Sequence, residues 1–376
     1  MTRRIPAVFM RGGSSKGVMF LARDLPDDPA VRDALLLRVL GSPDPYGRQL
    51  DGMGGGLSSV SKAALIAPSA RDDADVDFTF AQVAVDRPVV DYGATCGNLA
   101  SAVGPFAIDR GLVPAPDDGE VCVRIFLVNT NQICHATFAV AGGEPVEHGD
   151  FAIAGVAGAG ACIRMDFLDP GGSVCPALLP TGHPTDEIDL ADAGRFTVSL
   201  VDATNPVVFV DARAVGGSVT ASPTEIERDG RLMALLDRLR RAGGVRMGLG
   251  RTPEEVGLAN PKIAMVGPPA DFETIGGERL SADAADLAVR IISMEKCHRA
   301  VTLTGAMCVA VATRVVGSLP HALARVSGDD IRVANPSGVL PVSAAVRHTP
   351  EGWQALSARV YRTARRLMAG EVFVAR

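Results

Sequence analysis

The sequence predicts an α+β protein of two domains, each a largely buried central helix wrapped by mixed or antiparallel sheet, with a cleft between them that would hold the functional site. Most of the chain consists of short apolar runs separated by Gly, Pro and Asp, which is typical of strands joined by tight turns. Two stretches, at 97–112 and roughly 306–316, are apolar on nearly every helical face, and such a helix must be buried all round. A length of 376 residues favours two domains.

The same patterns locate the individual elements. Strands are expected at 5–10, 76–85, 121–130, 135–142, 195–203, 206–215 and 262–267. Helices are expected at 32–40, 97–112, 224–241, 282–297 and 306–316. Pro, Gly and charged residues cluster at 179–189, which indicates a boundary between domains of residues 1–185 and 186–376. The last strand is free to return to the first domain.

Composition excludes several classes of partner. The net charge is −6, aromatic residues make up 5%, and no block of Lys and Arg occurs, so we expect no nucleic-acid partner. No apolar stretch is long enough to span a membrane. The seven cysteines are scattered without a C-x-x-C pair, and the histidines show no ligand spacing, so we expect reduced thiols, no metal and a cytoplasmic protein. A homodimer remains possible.

Three segments carry the residues expected to form a site. They are 10–17 (MRGGSSKG), 51–62 (DGMGGGLSSVSK) and the predicted helix start at 95–98 (TCGN). Glycine lets backbone N–H groups approach a ligand closely, and a helix N-terminus favours anions. The spacings of a dinucleotide-binding loop and of a phosphate-binding loop are absent, which favours a small carboxylate compound.

Cys96 and Lys62 are the candidate acid/base pair. A cysteine at a helix N-terminus near a lysine is activated as a thiolate. A lysine partly desolvated in a glycine-rich pocket has its pKa lowered, which suits it to the complementary half of a proton transfer. Together these groups predict proton abstraction next to a carboxylate or a C=C bond.

Several blocks together resemble the PrpF family, over essentially the whole chain. These blocks are RGGSSKG, SPDPYGRQLDGMGGGLSSVSK, CGNLASAVGPFAIDRGLV, VRMGLG, PKIAMVGPP, ISMEKCHRAVTLTGAMCVAVA and NPSG. The resemblance implies a diaminopimelate-epimerase-like fold. It also implies an isomerase or tautomerase that moves a C=C bond by a 1,3-proton shift in an unsaturated di- or tricarboxylic acid, of 4-oxalomesaconate or 2-methylaconitate type, without a cofactor. The family's acid/base pair falls on Lys62 and Cys96.

The remaining predicted site residues would bind the substrate. These are Arg11, Ser14, Ser15, Lys16, Met53, Gly54, Ser61, Gly97, Asn98, Ser293, His298, Thr304 and Gly305. The wider fold superfamily uses a second cysteine before a Gly-Thr-type helix start, and that slot here holds Thr304, with Cys308 about one turn later. This departure disfavours racemisation.

Two other functions stay open at this stage. One is amino-acid epimerisation or racemisation on the same fold, and the other is a non-catalytic accessory protein to an iron–sulfur dehydratase.

Overall fold

The structure is a computed structural model that describes residues 2–153 and 155–375. The strands of the first half are β1 (Thr2–Gly12), β2 (Ser15–Leu21), β3 (Lys62–Pro68), β4 (Val76–Val83), β5 (Val90–Asp91), β6 (Asp118–Leu127), β7 (Gln132–Ala141), β8 (Glu144–Pro145), β9 (Phe151–Ala152), β10 (Ala159–Gly160) and β11 (Ile163–Leu168). Those that follow are β12 (Asp186–Leu190), β13 (Gly194–Asp202), β14 (Pro206–Asp211), β15 (Lys262–Gly267), β16 (Phe272–Glu273), β17 (Arg279–Leu280), β18 (Leu287–Ser293), β19 (Lys296–Cys297), β20 (Asp330–Asn335), β21 (Gly338–Thr349), β22 (Gly352–Arg362) and β23 (Ala364–Ala375).

Within the described residues, helices are fewer than strands. They are α1 (Pro29–Leu40), α2 (Gly97–Ala100), α3 (Val103–Asp109), α4 (Pro223–Arg228), α5 (Gly230–Arg246), α6 (Leu303–Arg314) and α7 (Leu319–Leu323). Short 3-10 turns occur at Ala22–Asp24, Ser58–Val60, Ala212–Val215 and Ala282–Ala284. Within the described residues, no helix is long and apolar enough to cross a membrane.

The chain folds as two compact units. Unit 1 runs to Phe167 and includes the C-terminal segment from Tyr361, whereas unit 2 runs from Leu168 to Val360. The division therefore lies before the expected position near residue 185, and β23 belongs to unit 1. Hydrogen bonds explain this earlier division. The carboxylate of Asp202 in β13 accepts from Ser173 Oγ, Val174 N and Cys175 N at 2.5–2.7 Å. The segment before residue 185 is thus attached to unit 2.

Unit 1 is built on a mixed sheet. β1 pairs antiparallel with β2 and with β23, and β2 pairs parallel with β3. β3 pairs antiparallel with β4, β4 parallel with β6, and β6 antiparallel with β7. Each parallel step requires a crossover, and these crossovers contain α1 after β2 and the helices α2 and α3 after β4.

Unit 2 repeats this order of strands and helices. β13 pairs antiparallel with β14, β14 parallel with β15, and β15 antiparallel with β18. β18 then pairs parallel with β20, and β20 pairs antiparallel with β21. The two crossovers contain α4 and α5 after β14 and α6 after β18.

The predicted all-round burial of two helices is observed. In α3 every residue from Val103 to Ile108 is buried, and in α6 every residue from Gly305 to Thr313 is buried. Gly104 allows α3 to lie against β7, since a Cβ at this position would come within 2.6 Å of the Phe138 ring.

The helix predicted at 282–297 is wrong. This region holds a 3-10 turn and then strand β18, whose sequence LAVRIIS is buried at every residue. β18 is hydrogen-bonded on both sides, to β15 and β20. A strand covered on both faces shows a continuous apolar run, which periodicity alone does not distinguish from a buried helix.

Other predicted helices have different bounds. The helix expected at 97–112 is two helices, α2 and α3, with a turn at Ser101 and Ala102 between them. Pro105 has no N–H to donate to the carbonyl of Ser101, which interrupts the helix there. The helix expected at 224–241 is divided at Asp229, whose carboxylate accepts from Arg231 N and Leu232 N to cap α5. α1 begins earlier than expected, after the N-cap Asp28.

Candidate active site

Lys62 is the first residue of β3 and points onto β4. It lies opposite Gln82, and its Nζ donates to Gln82 Oε1 at 2.5 Å. The ammonium also lies 4.9 Å from the centroid of the Phe80 ring, two residues before Gln82 on the same face. Lys62 is only 7% exposed. Burial lowers its pKa below the usual value of 10.5, and electrostatic attraction to Cys96 opposes part of that lowering.

Neighbouring residues hold Lys62 in this position. The Gln82 amide donates from Nε2 to the carbonyls of Ser61 and Ser58, at 2.9 and 3.2 Å, which turns its Oε1 towards Lys62. On the other side of β3, a Cβ at Gly17 would come within 2.6 Å of the Lys62 carbonyl oxygen. Glycine at this position therefore permits the close approach of β2 to Lys62.

Cys96 is the N-cap of α2. Its Sγ accepts a hydrogen bond from Leu99 N at 3.4 Å and lies 3.9 Å from Ser15 Oγ. The side chain is partly exposed. α2 has only four residues, so the dipole expected from one long helix is reduced.

Arg362 lies at the candidate site, and the sequence did not predict it. It is 7% exposed, and its Nε donates to Asn98 Oδ1 at 2.9 Å. Burial lowers its pKa to about 10, and attraction to Cys96 opposes this effect. Cys96 thus interacts electrostatically with two buried cations, Lys62 and Arg362.

The glycine-serine loop that follows β1 packs directly on α2. Gly13 has a φ of +53°, and a Cβ there would lie 2.3 Å from Asn98 Oδ1. At Gly12 a Cβ would lie 2.7 Å from the Asn98 carbonyl oxygen. The close contact brings buried Ser15 to Cys96, whereas Ser14 is exposed in the turn.

Some residues predicted to bind substrate have internal partners instead. Arg11 donates to Gly13 O, Thr363 O and Thr363 Oγ1 at 2.9–3.0 Å, which ties the loop to the C-terminal segment. The ammonium of Lys16 lies 5.4 Å from the centroid of the Phe9 ring. Their predicted role in carboxylate binding stays a prediction.

Met53, Gly54 and Ser61 position the chain around Lys62. Met53 N and Gly54 N donate to carbonyls at the end of α1, at 2.8 and 3.2 Å. Ser61 is fully buried, donates to Val83 O at 2.9 Å and accepts from Gln49 Nε2 at 2.7 Å. These hydrogen bonds give the three residues a structural role. Direct contact between them and a substrate stays a prediction.

Of the remaining predicted residues, Gly97 begins α2 in unit 1, and the others belong to unit 2. Ser293 ends β18, and His298 donates from its backbone N to Ile291 O at 2.9 Å. The predicted helix start at Thr304 is wrong by two residues, because the N-cap of α6 is Thr302, whose Oγ1 accepts from Gly305 N. The Thr304 carbonyl accepts instead from Thr204 Oγ1. Their grouping with Lys62 and Cys96 in one cleft stays a prediction.

Comparison with known proteins identifies relatives along the full chain. The family model described as PrpF protein matches residues 2–375. The chain is 39% identical to a 2-methyl-aconitate isomerase of Cupriavidus necator, a 3-methylitaconate isomerase of Eubacterium barkeri and a 4-oxalomesaconate tautomerase of Pseudomonas putida. Each alignment covers 99% of this chain and 97% of the relative.

Solved structures confirm the predicted fold. A methylitaconate-delta-isomerase crystal structure superposes with a TM-score of 0.92 at 38% identity, covering 99% of this chain and 96% of that one. A hydroxyproline epimerase from Agrobacterium vitis, at 12% identity and a TM-score of 0.51, shares the fold alone and covers 99% of this chain and 91% of its own. With a family model and relatives that span its length, this chain belongs to the PrpF family.

Proposed function

We propose that this protein is a cofactor-independent isomerase that moves a C=C bond by a 1,3-proton shift in an unsaturated di- or tricarboxylic acid, with Lys62 and Cys96 as the acid/base pair. The observation that carries the proposal is the placement of a buried lysine with a lowered pKa within electrostatic reach of a partly exposed cysteine, both in unit 1. The relatives named above are isomerases and tautomerases, the class expected from the sequence.

The reaction needs one group that removes a proton and one that returns it. The base, an uncharged Lys62 amine or a Cys96 thiolate, takes a proton from the carbon next to the double bond. The electron pair of that C–H bond forms the new C=C bond, and the old C=C pair moves into the carboxylate as a dienolate. The pair then returns from the dienolate to the far carbon and bonds the proton that the second group, in its protonated form, delivers there. One C–H bond is broken and one is formed, so no net oxidation or reduction occurs.

Polar residues around Lys62 and Cys96 can stabilise the charge that develops on the substrate. Negative charge develops on the substrate carboxylate during proton removal, and fixed donors or cations near it stabilise that charge without reorganising. Fixed polar groups near Cys96 in unit 1 include Ser15, the Arg362 guanidinium and the Asn98 side chain that it contacts. Lowering of the Lys62 pKa by burial brings its uncharged form closer to neutral pH.

The proposal names a substrate class and not one acid. The three relatives carry three different substrate names at the same identity of 39%, so identity does not select among them. What their names share is an unsaturated polycarboxylate or its keto derivative.

The test is ¹H NMR of the purified protein in deuterated buffer with 2-methylaconitate, 3-methylitaconate and 4-oxalomesaconate in turn. We expect deuterium uptake together with migration of the double bond for at least one acid. Failure to move the double bond in all three would contradict the proposal.

A further inference from the structure

Unit 1 exposes three large apolar side chains along one groove. The exposed fraction is 84% for Tyr46, 74% for Leu50 and 62% for Phe373. All three line a groove of about 630 Å³ formed by the end of α1, the loop after it and β23, and we call them the groove patch. The described residues that line this groove do not include Lys62 or Cys96. Single exposed apolar residues are ordinary, but a cluster rimmed by polar groups marks an interaction surface.

The loop that carries Tyr46 and Leu50 is held in place by its own hydrogen bonds. The Asp44 carboxylate accepts from Tyr46 N and Gln49 N at 2.9 and 2.6 Å. Gln49 is buried, and its Nε2 donates to Ser61 Oγ at 2.7 Å. Because the backbone on both sides of the loop is fixed, Tyr46 and Leu50 are held outward. A fixed backbone also lowers the entropy that is lost when a partner binds.

Phe373 is exposed because side chains alternate along β23. Its neighbours Val372 and Val374 belong to the core of unit 1, so Phe373 points away from that core. Arg4 lies opposite Phe373 in β1, with its guanidinium 5.1 Å from the centroid of the ring. The same guanidinium lies 3.8 Å from the carboxylate of Glu371. The outer face of β23 therefore extends the groove patch with an aromatic ring and with one charge of each sign.

Charged residues of both signs line the groove. Arg38 and Arg48 supply two cations, and Asp44 and Asp51 supply two anions. In a contact with two-fold symmetry a surface meets its own copy, so it must be complementary to itself. A surface with equal numbers of cations and anions meets this condition, whereas a surface that binds a strongly charged partner carries mainly one sign. The balance of charge therefore favours a second copy of this chain as the partner.

We propose that the groove patch is the interface of a homodimer, in which a two-fold axis sets loop 42–51 and the outer face of β23 against the same surface of a second copy. Contact along this surface removes Tyr46, Leu50 and Phe373 of each copy from water, which is favourable. Tyrosine, phenylalanine and arginine are the residue types enriched in such interfaces. The inference goes beyond the proposed function and does not depend on it.

The first test measures the mass of the full-length protein by sedimentation velocity over a range of concentrations. The wild-type protein should have the mass of two chains. The double variant Tyr46→Ser, Leu50→Ser should raise the dissociation constant of the dimer at least about 100-fold, since each change removes an anchor from both copies. Ile275→Ser is the matched control, because Ile275 is a 49% exposed residue of unit 2, and it should stay within about twofold. A monomeric wild-type protein, or an unchanged dissociation constant in the double variant, would overturn the proposal.

The second test locates the interface by hydrogen–deuterium exchange with mass spectrometry. Wild-type protein is compared above and below the dissociation constant of the dimer or, if the dimer is too tight to dilute apart, with the double variant. Amide exchange at 42–51 and 367–375 should be slower in the dimer. Slower exchange only at other segments would place the contact on another surface and overturn the proposal. Neither test measures turnover, so a protein that moves no double bond would contradict the proposed function and leave this interface supported.

Discussion

Lys62 and Gln82 face each other across β3 and β4, joined by a 2.5 Å hydrogen bond from the lysine Nζ to the glutamine Oε1. The glutamine is itself held by the carbonyls of Ser61 and Ser58. The amine of the proposed acid/base pair therefore has a fixed direction and a neutral acceptor that favours its charged form.

Replacing Gln82 should move the pH profile of isomerisation. Gln82→Leu removes an acceptor for the ammonium, so the pKa of Lys62 should fall further and the limb that it governs should move to lower pH. Gln82→Glu adds a negative charge and should move the same limb to higher pH. The measurement is kcat/KM against pH for both variants. Shifts in the same direction, or none, would contradict the assigned contact.

The lysine should also control stability in alkaline solution. Its pKa is lower in the folded protein than the value of 10.5 in the unfolded chain, so between these values the unfolded state binds more protons. The free energy of unfolding should therefore rise with pH through this window. Lys62→Met should flatten that rise and should stabilise the protein at pH 7, where burial of the charge is unfavourable. Urea unfolding at pH 7–10 checks this, and an unchanged slope would argue against burial of the ammonium.

Only one of two cysteines should matter for turnover. Cys96→Ser should lower kcat by at least about 100-fold, the lower range for loss of a general acid or base. Cys308 is fully buried, donates to Val201 O at 3.6 Å, and has a pKa raised far above the usual range by burial. Cys308→Ser should keep kcat within about twofold. A large loss in that variant, with the fold intact by circular dichroism, would favour the two-thiol racemase alternative.

Arg362 should influence Cys96 through charge and through Asn98. Arg362→Met removes a buried cation, so alkylation of Cys96 by iodoacetamide at pH 7 should slow by about tenfold, and Arg362→Lys should restore part of the rate. Arg365→Met provides a control, because Arg365 is an exposed arginine of the same segment. Equal alkylation rates in all four proteins would show that Arg362 has no electrostatic effect on the thiol.

Much of the fold could be predicted from the sequence, for definite reasons. The apolar stretches around 97–112 and 306–316 had only one physical solution, burial on all sides, and α3 and α6 are buried in this way. Lys62 and Cys96 stood in glycine-rich or helix-start motifs that restrict their surroundings. Their assignment as the acid/base pair stays a prediction.

The features that the sequence did not predict depend on strand pairing and long-range contacts, which local sequence does not encode. Gln82 lies opposite Lys62 because of the register of β3 and β4, and Arg362 reaches Asn98 from the far end of the chain. Buried strand β18 has the same apolar run as a buried helix, so its type depends on its two neighbouring strands.

The most direct test of the proposed acid/base pair is double-bond migration and deuterium exchange measured by ¹H NMR for wild-type, Lys62→Met and Cys96→Ser proteins with the same acid. We predict that both variants lose migration by at least about 100-fold, and that the one retaining the base still exchanges the abstracted proton with solvent. If either variant moves the double bond at the wild-type rate, the pair is not the catalytic one.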